Sequence, residues 1–125
     1  MINIIDLLAR ISISLLFLIN GYFKIVNFDG TMEWIESFGL PGSLIIPAII
    51  LEIIAPILLI VGYKTKLAAA ALGLFCLATA IIFHNDFGNQ TQLTAFLKNI
   101  ALMGGFLFLF INGAKDFSLD KKLNS

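Results

Sequence analysis

The run LIIPAIILEIIAPILLIV, residues 44–61, decides how the chain is read. It is apolar throughout except for one carboxylate, Glu52, near its middle. At a rise of ~1.5 Å per residue, a helix of this length nearly matches a hydrocarbon core of ~30 Å. The run has no period-2 alternation, and a barrel strand spans with only ~9–11 residues, so it predicts a membrane-crossing helix. Three similar runs accompany it, at about Ile4 to Phe23, Leu67 to Phe83 and Leu93 to Ile111. The run at 67–83 is the shortest and predicts an upright helix, or one extended to His84. The expected fold is therefore all-α: an integral-membrane four-helix bundle in a single domain over 1–125, with a charged tail over 113–125.

Composition agrees with lipid as the main solvent. Of 125 residues, 59% are hydrophobic and 13% charged, and mean hydropathy is +0.98; soluble domains carry about 45–50% and about 25%. A small domain cannot hide that much apolar surface from water. Eight basic residues balance eight acidic ones, which argues against a nucleic-acid partner. The single cysteine, Cys76, excludes an internal disulfide, a CxxC redox pair and a cysteine metal cage. The single histidine, His84, excludes a haem held by two histidines of this chain. No phosphate-binding glycine loop, HExxH or GxGxxG motif occurs. Haem, flavin and metal sites are thus not expected within the chain.

The start MINIIDLLAR has no basic segment ahead of its apolar run, so the first run is expected to remain as a membrane helix. Four crossings put both termini on the same side as the connection between the second and third helices. That side carries Arg10, Lys64, Lys66, Lys115, Lys121 and Lys122, against Lys24 and Lys98 opposite. The positive-inside rule then predicts cytoplasmic termini in a bacterial inner membrane. On the outer side, residues 31–38 read as a short amphipathic helix between helices one and two. Thr31 is its expected cap, and Trp34, Ile35 and Phe38 share one side. Trp34 suits the headgroup layer. The outer connection 84–92 is polar and contains the sequon Asn89-Gln90-Thr91.

Charges inside a bilayer are costly, and they face protein or a cavity. Asp6, Arg10, Ser14, Phe17, Gly21 and Lys24 follow steps of three and four and form one stripe on helix one, with Asn20 beside it. Ala69, Gly73, Cys76 and Ala80 form a small-residue face on helix three. Thr94, Lys98, Ala101 and Gly105 form a matching seam on helix four, beside Asn99. Counted from the outer ends, Lys24 lies at the interface, Lys98 about 7 Å deep and Glu52 about 12 Å deep. These depths predict a Lys98–Glu52 ion pair, with Arg10 approaching Glu52 from below. Asp6 and Arg10 also read as a simple i,i+4 pair, and Lys24 as a side chain snorkelling outward. A carboxylate as deep as Glu52 must be paired or protonated, and either condition suits a proton carrier. His84 and Asn85 sit at the outer mouth. Cys76 reads as a packing residue and the run 106–110 as lipid-facing.

The order of these features resembles the DoxX family of small four-helix bacterial membrane proteins. The matching pieces are Arg10 with Leu15-Leu16-Phe17-Leu18, Asn20-Gly21-Tyr22-Phe23-Lys24, Leu51-Glu52 with Leu58 to Gly62, and Thr65-Lys66-Leu67-Ala68-Ala69. Phe83-His84-Asn85, Phe96-Leu97-Lys98-Asn99 and Phe117-Ser118-Leu119-Asp120 continue the match. Lys66 is a departure, since the family often has arginine there. The resemblance implies an inner-membrane protein whose relatives include quinone-linked oxidoreductase subunits such as thiosulfate:quinone oxidoreductase components.

On that footing Glu52, Lys98 and His84 are the candidates for proton transfer or quinone hydrogen bonding. Arg10, Asn20, Lys24, Asn85 and Asn99 are candidates for holding the cofactor. A quinone is the expected cofactor, with lipid, a redox partner protein and a homo-oligomer as expected partners. A non-catalytic scaffold for a partner protein and a small-molecule or lipid carrier are the alternative functions.

Overall fold

Long apolar runs become helices, even across interior prolines such as Pro56, because a backbone in lipid must satisfy its own hydrogen bonds. In the computed structural model, which describes residues 1–124 and side chains through 123, four such helices are present. They are α1 (Ile2–Val26), α3 (Ile45–Val61), α4 (Thr65–Phe83) and α5 (Gln90–Asn112). A short α2 (Phe28–Glu36) and a 3-10 turn (Gly42–Leu44) join α1 to α3, and α6 (Leu119–Asn124) follows α5. Ser125, the last residue of the expected tail, lies outside the described residues.

The helices overrun the apolar runs where polar residues continue the pattern. α1 reaches Val26, and one residue, Asn27, separates it from α2. Thr31 is therefore inside α2 and not its cap, because the break comes four residues earlier than expected. α5 starts at Gln90 because the Asn89 side chain accepts the N–H groups of Thr91 (2.9 Å) and Gln92 (3.3 Å). The asparagine of the sequon is thus an N-cap.

α1 packs on α3, α3 on α4 and α4 on α5. The ring closes where Phe17 of α1 meets Phe106 of α5, centroids 5.5 Å apart. The stripe on α1 is the buried one, at Arg10, Ser14, Phe17 and Gly21. The small-residue face of α4 is buried too, and a Cβ on Gly73 would touch Phe106 Cβ at 3.4 Å. Phe106 departs from the lipid-facing expectation because it fills the space above Gly73, whereas Phe108 stays 71% exposed. On α1, a Cβ at Gly21 would lie 2.7 Å from Ile53 Cδ1 and 3.4 Å from Glu52 Cβ, so a larger residue there would push the Ile53 side chain aside next to Glu52.

The end carrying both termini is tied by Arg10, whose side chain is fully buried. Its Nε donates to Asp6 Oδ2 (3.0 Å), and Nη1 donates to the carbonyls of Leu59 (2.8 Å) and Ile60 (3.0 Å). Nη2 donates to the Phe117 carbonyl in the tail (2.5 Å). Leu59 and Ile60 lie in the last turn of α3, where carbonyls lack helical donors. Arg10 therefore does not reach Glu52: the helix-end carbonyls and Asp6 hold it at the opposite end. Gly62 permits the arrangement, because it ends α3 at φ +72° and a Cβ there would stand 2.9 Å from Arg10 Nη1.

The tail also caps α4. Asp120 Oδ1 accepts the N–H of Lys64 (2.7 Å), Oδ2 accepts that of Thr65 (2.9 Å), and the Asp120 N–H donates to the Gly62 carbonyl (2.8 Å). Partial burial pushes the Asp120 carboxyl up, but the Thr65 and Lys64 donors and the Arg10 charge outweigh it and hold the group below its ordinary range.

Two stability results are expected. Arg10→Met strands Asp6 and three carbonyls and should cost about 3–5 kcal/mol, read by denaturant unfolding in detergent. Asp120→Ala should cost about 1 kcal/mol at neutral pH. Folding lowers the Asp120 pKa, so its contribution is complete above the unfolded value of about 4 and fades as pH falls through the folded one. The stability gap between native chain and variant should accordingly close in acid, as measured by thermal melts at stepped pH.

Candidate functional site

The opposite end of the bundle is hollow. A cavity of about 430 Å³ opens between α1, α3, α4 and α5 under α2, within the range of ~300–1,000 Å³ common for small-molecule sites. Leu16, Phe17, Leu51, Phe75 and Leu102 provide apolar wall. Asn20, Lys24, Glu52, Thr79, His84, Lys98 and Asn99 converge on it as polar groups.

Glu52 is the most buried charge lining the cavity, with a side chain only 2% exposed. Its partner is Lys24, Nζ standing 2.8 Å from Oε2; the pair has ionic distance but lies off the hydrogen-bonding direction. This corrects two expectations. Lys24 turns inward on the face of α1 that packs against α3, one turn after Gly21. Lys98 lines the cavity without ion-pairing to Glu52, and among the described residues no carboxylate lies within ion-pair distance of it. Pro56, buried in α3, has no N–H to return to the Glu52 carbonyl four residues before it, so the helix is locally open at the pair.

Around this pair the side chains are held from neighbouring helices. His84 ends α4, and its Nδ1 lies 2.8 Å from Gln92 Oε1 on α5, which leaves Nε2 without a hydrogen-bond partner among the described residues. Asn99 is buried and its Nδ2 donates to Thr79 Oγ1 (3.2 Å), which donates in turn to the Phe75 carbonyl (2.9 Å). Cys76 also lines the cavity and is buried. Of the candidates named from sequence, Glu52, Lys98, His84, Asn20, Lys24 and Asn99 meet at the cavity. Arg10 does not, and Asn85 is exposed beyond the mouth with its amide donating to the Ile81 carbonyl.

The sequence reading missed the lid. Trp34 of α2 stacks on Phe83 (centroids 4.6 Å, planes 24° apart), and Phe38 meets the same ring edge-on at 4.8 Å. Thr31, Trp34, Ile35 and Leu40 thereby roof the cavity. The amphipathic pattern of α2 was the available signal; it identified an apolar side without saying whether lipid or a cavity lay beneath it.

Comparison with known proteins agrees with this architecture. A family profile described as DoxX matches residues 5–85. The chain is 36% identical over 118 residues to "Inner membrane protein YqjF" of Escherichia coli (strain K12), covering 94% of this chain and 91% of that one. It is 35% identical over 123 residues to "Inner membrane protein YphA" of the same organism, covering 93% and 88%. A third relative, "ER-derived vesicles protein ERV29" of Saccharomyces cerevisiae, is 35% identical over 79 residues, with 59% of this chain and 26% of that protein covered. No solved structure matches significantly.

The ion pair predicts non-additive mutational effects. Lys24→Met alone leaves Glu52 buried without its counter-charge and should destabilise by about 3–5 kcal/mol. Adding Glu52→Gln should restore most of that loss, a coupling that a double-mutant cycle of unfolding free energies measures.

Proposed function

The chain belongs to the DoxX family of membrane proteins, and on that premise we propose that it is the membrane subunit of a quinone-linked oxidoreductase, holding a quinone or similar small apolar molecule in the cavity beneath α2. The observation that carries this reading is the cavity itself: an apolar slot in which an ion pair, an unpaired ammonium and an imidazole converge. A quinone, when bound, supplies a two-electron, two-proton acceptor. The residues suit it on size and donor chemistry, since a flat apolar ring needs a dry slot and its two carbonyl oxygens need donors.

Each residue then has a task. The aliphatic and phenylalanine walls exclude water and bind the ring by apolar burial. Lys98, with no carboxylate to neutralise it, donates to an oxygen of the ligand and favours negative charge developing there. Asn20 offers further hydrogen bonds at the wall. Thr79 fixes Asn99, so its amide is oriented without a ligand. His84, tied to Gln92 through Nδ1, keeps Nε2 for proton exchange at the mouth. Glu52 can take a proton at Oε2 when Lys24 swings away, which makes the pair a store for one proton inside the slot. Electrons are assigned to a redox partner protein. We assign the Arg10 end, with its excess of lysines, to the cytoplasm, which directs the cavity toward the outer leaflet.

The carrier reading has one observation in its favour: α2 is fastened over the cavity through rings at Trp34, Phe38 and Phe83, contacts that can open without breaking a buried charge. Proteoliposome uptake separates it from the redox reading.

The direct test is ultraviolet difference spectroscopy with mass spectrometry on protein purified in mild detergent. The native chain is expected to carry stoichiometric quinone that Glu52→Gln and Lys98→Met both lose. Lys98→Met leaves the Lys24–Glu52 pair intact, so quinone loss at an unfolding midpoint equal to that of the native chain is assigned to the Lys98 ammonium. A folded native chain with no quinone would defeat the proposal and favour a scaffold.

A further inference from the structure

We propose that Glu52 Oε1 and Asn99 Oδ1 are free hydrogen-bond acceptors inside the cavity under α2, and that the cavity takes a ligand presenting hydroxyl donors to them: of a quinone couple, the hydroquinone in preference to the quinone. The inference rests on the quinone reading and adds to it which form the walls are built to hold. Both residues line the cavity and both are buried, Glu52 at 2% and Asn99 at 8% exposed.

The polarity of Asn99 is fixed by Thr79. A hydroxyl has one proton, and that of Thr79 goes to the backbone of its own helix, with the Phe75 carbonyl at 2.9 Å and the Cys76 carbonyl at 3.2 Å. Oγ1 is left with lone pairs only, so the side of the Asn99 amide that meets it at 3.2 Å must be Nδ2. Oδ1 is thereby turned away from Thr79, and it receives no hydrogen bond among the described residues. Glu52 reaches the same state by another route. Lys24 Nζ stands 2.8 Å from Oε2, which is sealed from solvent. Oε1 receives no hydrogen bond among the described residues and is the oxygen that remains open to the cavity.

Buried acceptors without donors are costly, and a site built on them rejects the analogue that lacks the donor. The deep wall therefore suits O–H and not C=O. A quinone brings two carbonyl oxygens, acceptors set against acceptors. Its reduced form has the same flat ring with hydroxyls, which donate inward and still accept from Lys98 at the open edge of the cavity. A hydrogen bond to an ionised carboxylate is stronger than a neutral one, so Glu52 supplies the larger part of the preference and Asn99 the part that Thr79 controls. Thr79 acts through Asn99 and is a positioning residue.

The test titrates the full chain in mild detergent, without oxygen, with menadiol, menadione and the dimethyl ether of menadiol, which keeps the ring and lacks the donors. Binding is followed by equilibrium dialysis, and partition into detergent is subtracted with protein-free micelles. The native chain is expected to bind menadiol on the order of a hundred-fold more tightly than menadione or the ether, about ten-fold for each donated hydrogen bond. Thr79→Val keeps the shape, removes the hydroxyl and frees the Asn99 amide to turn, so it should weaken menadiol about ten-fold while leaving the ether unchanged. Thr79→Ser restores the hydroxyl and should restore the preference. Menadione binding as tightly as menadiol, equal weakening of menadiol and the ether in Thr79→Val, or no recovery in Thr79→Ser would each overturn this inference while the quinone reading stands. No binding of any probe by the folded native chain would overturn both. The comparison of the three probes on the native chain needs no variant, so it remains decisive if Thr79→Val does not fold.

Discussion

The guanidinium of Arg10 is the interaction around which the bundle is organised. A permanent cation in a lipid-surrounded helix has no water to fall back on, so its hydrogen bonds must come from protein. Arg10 finds them in Asp6, in the last turn of α3 and in the tail at Phe117, which joins three separated segments of chain at one buried point. With α1 anchored to α3 there, the rest of their contact follows from small residues. Gly62 clears space at the charge, and beside Gly21 the helices meet again near Glu52. The tail, drawn in by Arg10, then supplies Asp120 to cap α4.

The two ends of the molecule are consequently built from different forces. The Arg10 end is a lattice of charge-assisted hydrogen bonds with defined directions. The other end is roofed by α2 through aromatic stacking and apolar contact, which tolerate sliding. Regions held by fewer directional bonds open at lower free energy than the regions they adjoin. A cavity that must admit a ligand is better placed under the second kind of roof.

The fold was largely legible in the sequence because lipid imposes a simple rule: apolar length gives the spans, and steps of three and four give the inward faces. Arg10, Ser14, Phe17 and Gly21 share a buried face, and so do Ala69, Gly73, Cys76 and Ala80. What the sequence withheld was partnership between helices. Depth along the axis put Lys98 and Glu52 at neighbouring levels, but an ion pair also needs the right direction around the axis, which depends on how closely each pair of helices approaches. α1 packs against α3 beside Gly21, and across that contact Lys24 becomes the partner of Glu52. Capping was hidden for a similar reason. Asp120 sits in a charged tail far along the chain, and only the folded chain brings it to the start of α4, whereas Asn89 caps the helix it directly precedes.

This pairing changes the electrostatic character of the cavity. Had Lys98 neutralised Glu52, the slot would contain a closed pair and Lys24 would point to solvent. With Lys24 turned inward, the pair is complete at the α1–α3 contact, and Lys98 remains as uncompensated positive charge on the facing wall. Lys98 is itself exposed, so its ammonium stands at the open edge of the cavity and not in its dry interior. The charge at the cavity wall is therefore set by pairing across the α1–α3 contact: Lys24 closes Glu52, and Lys98 has no carboxylate within ion-pair distance among the described residues.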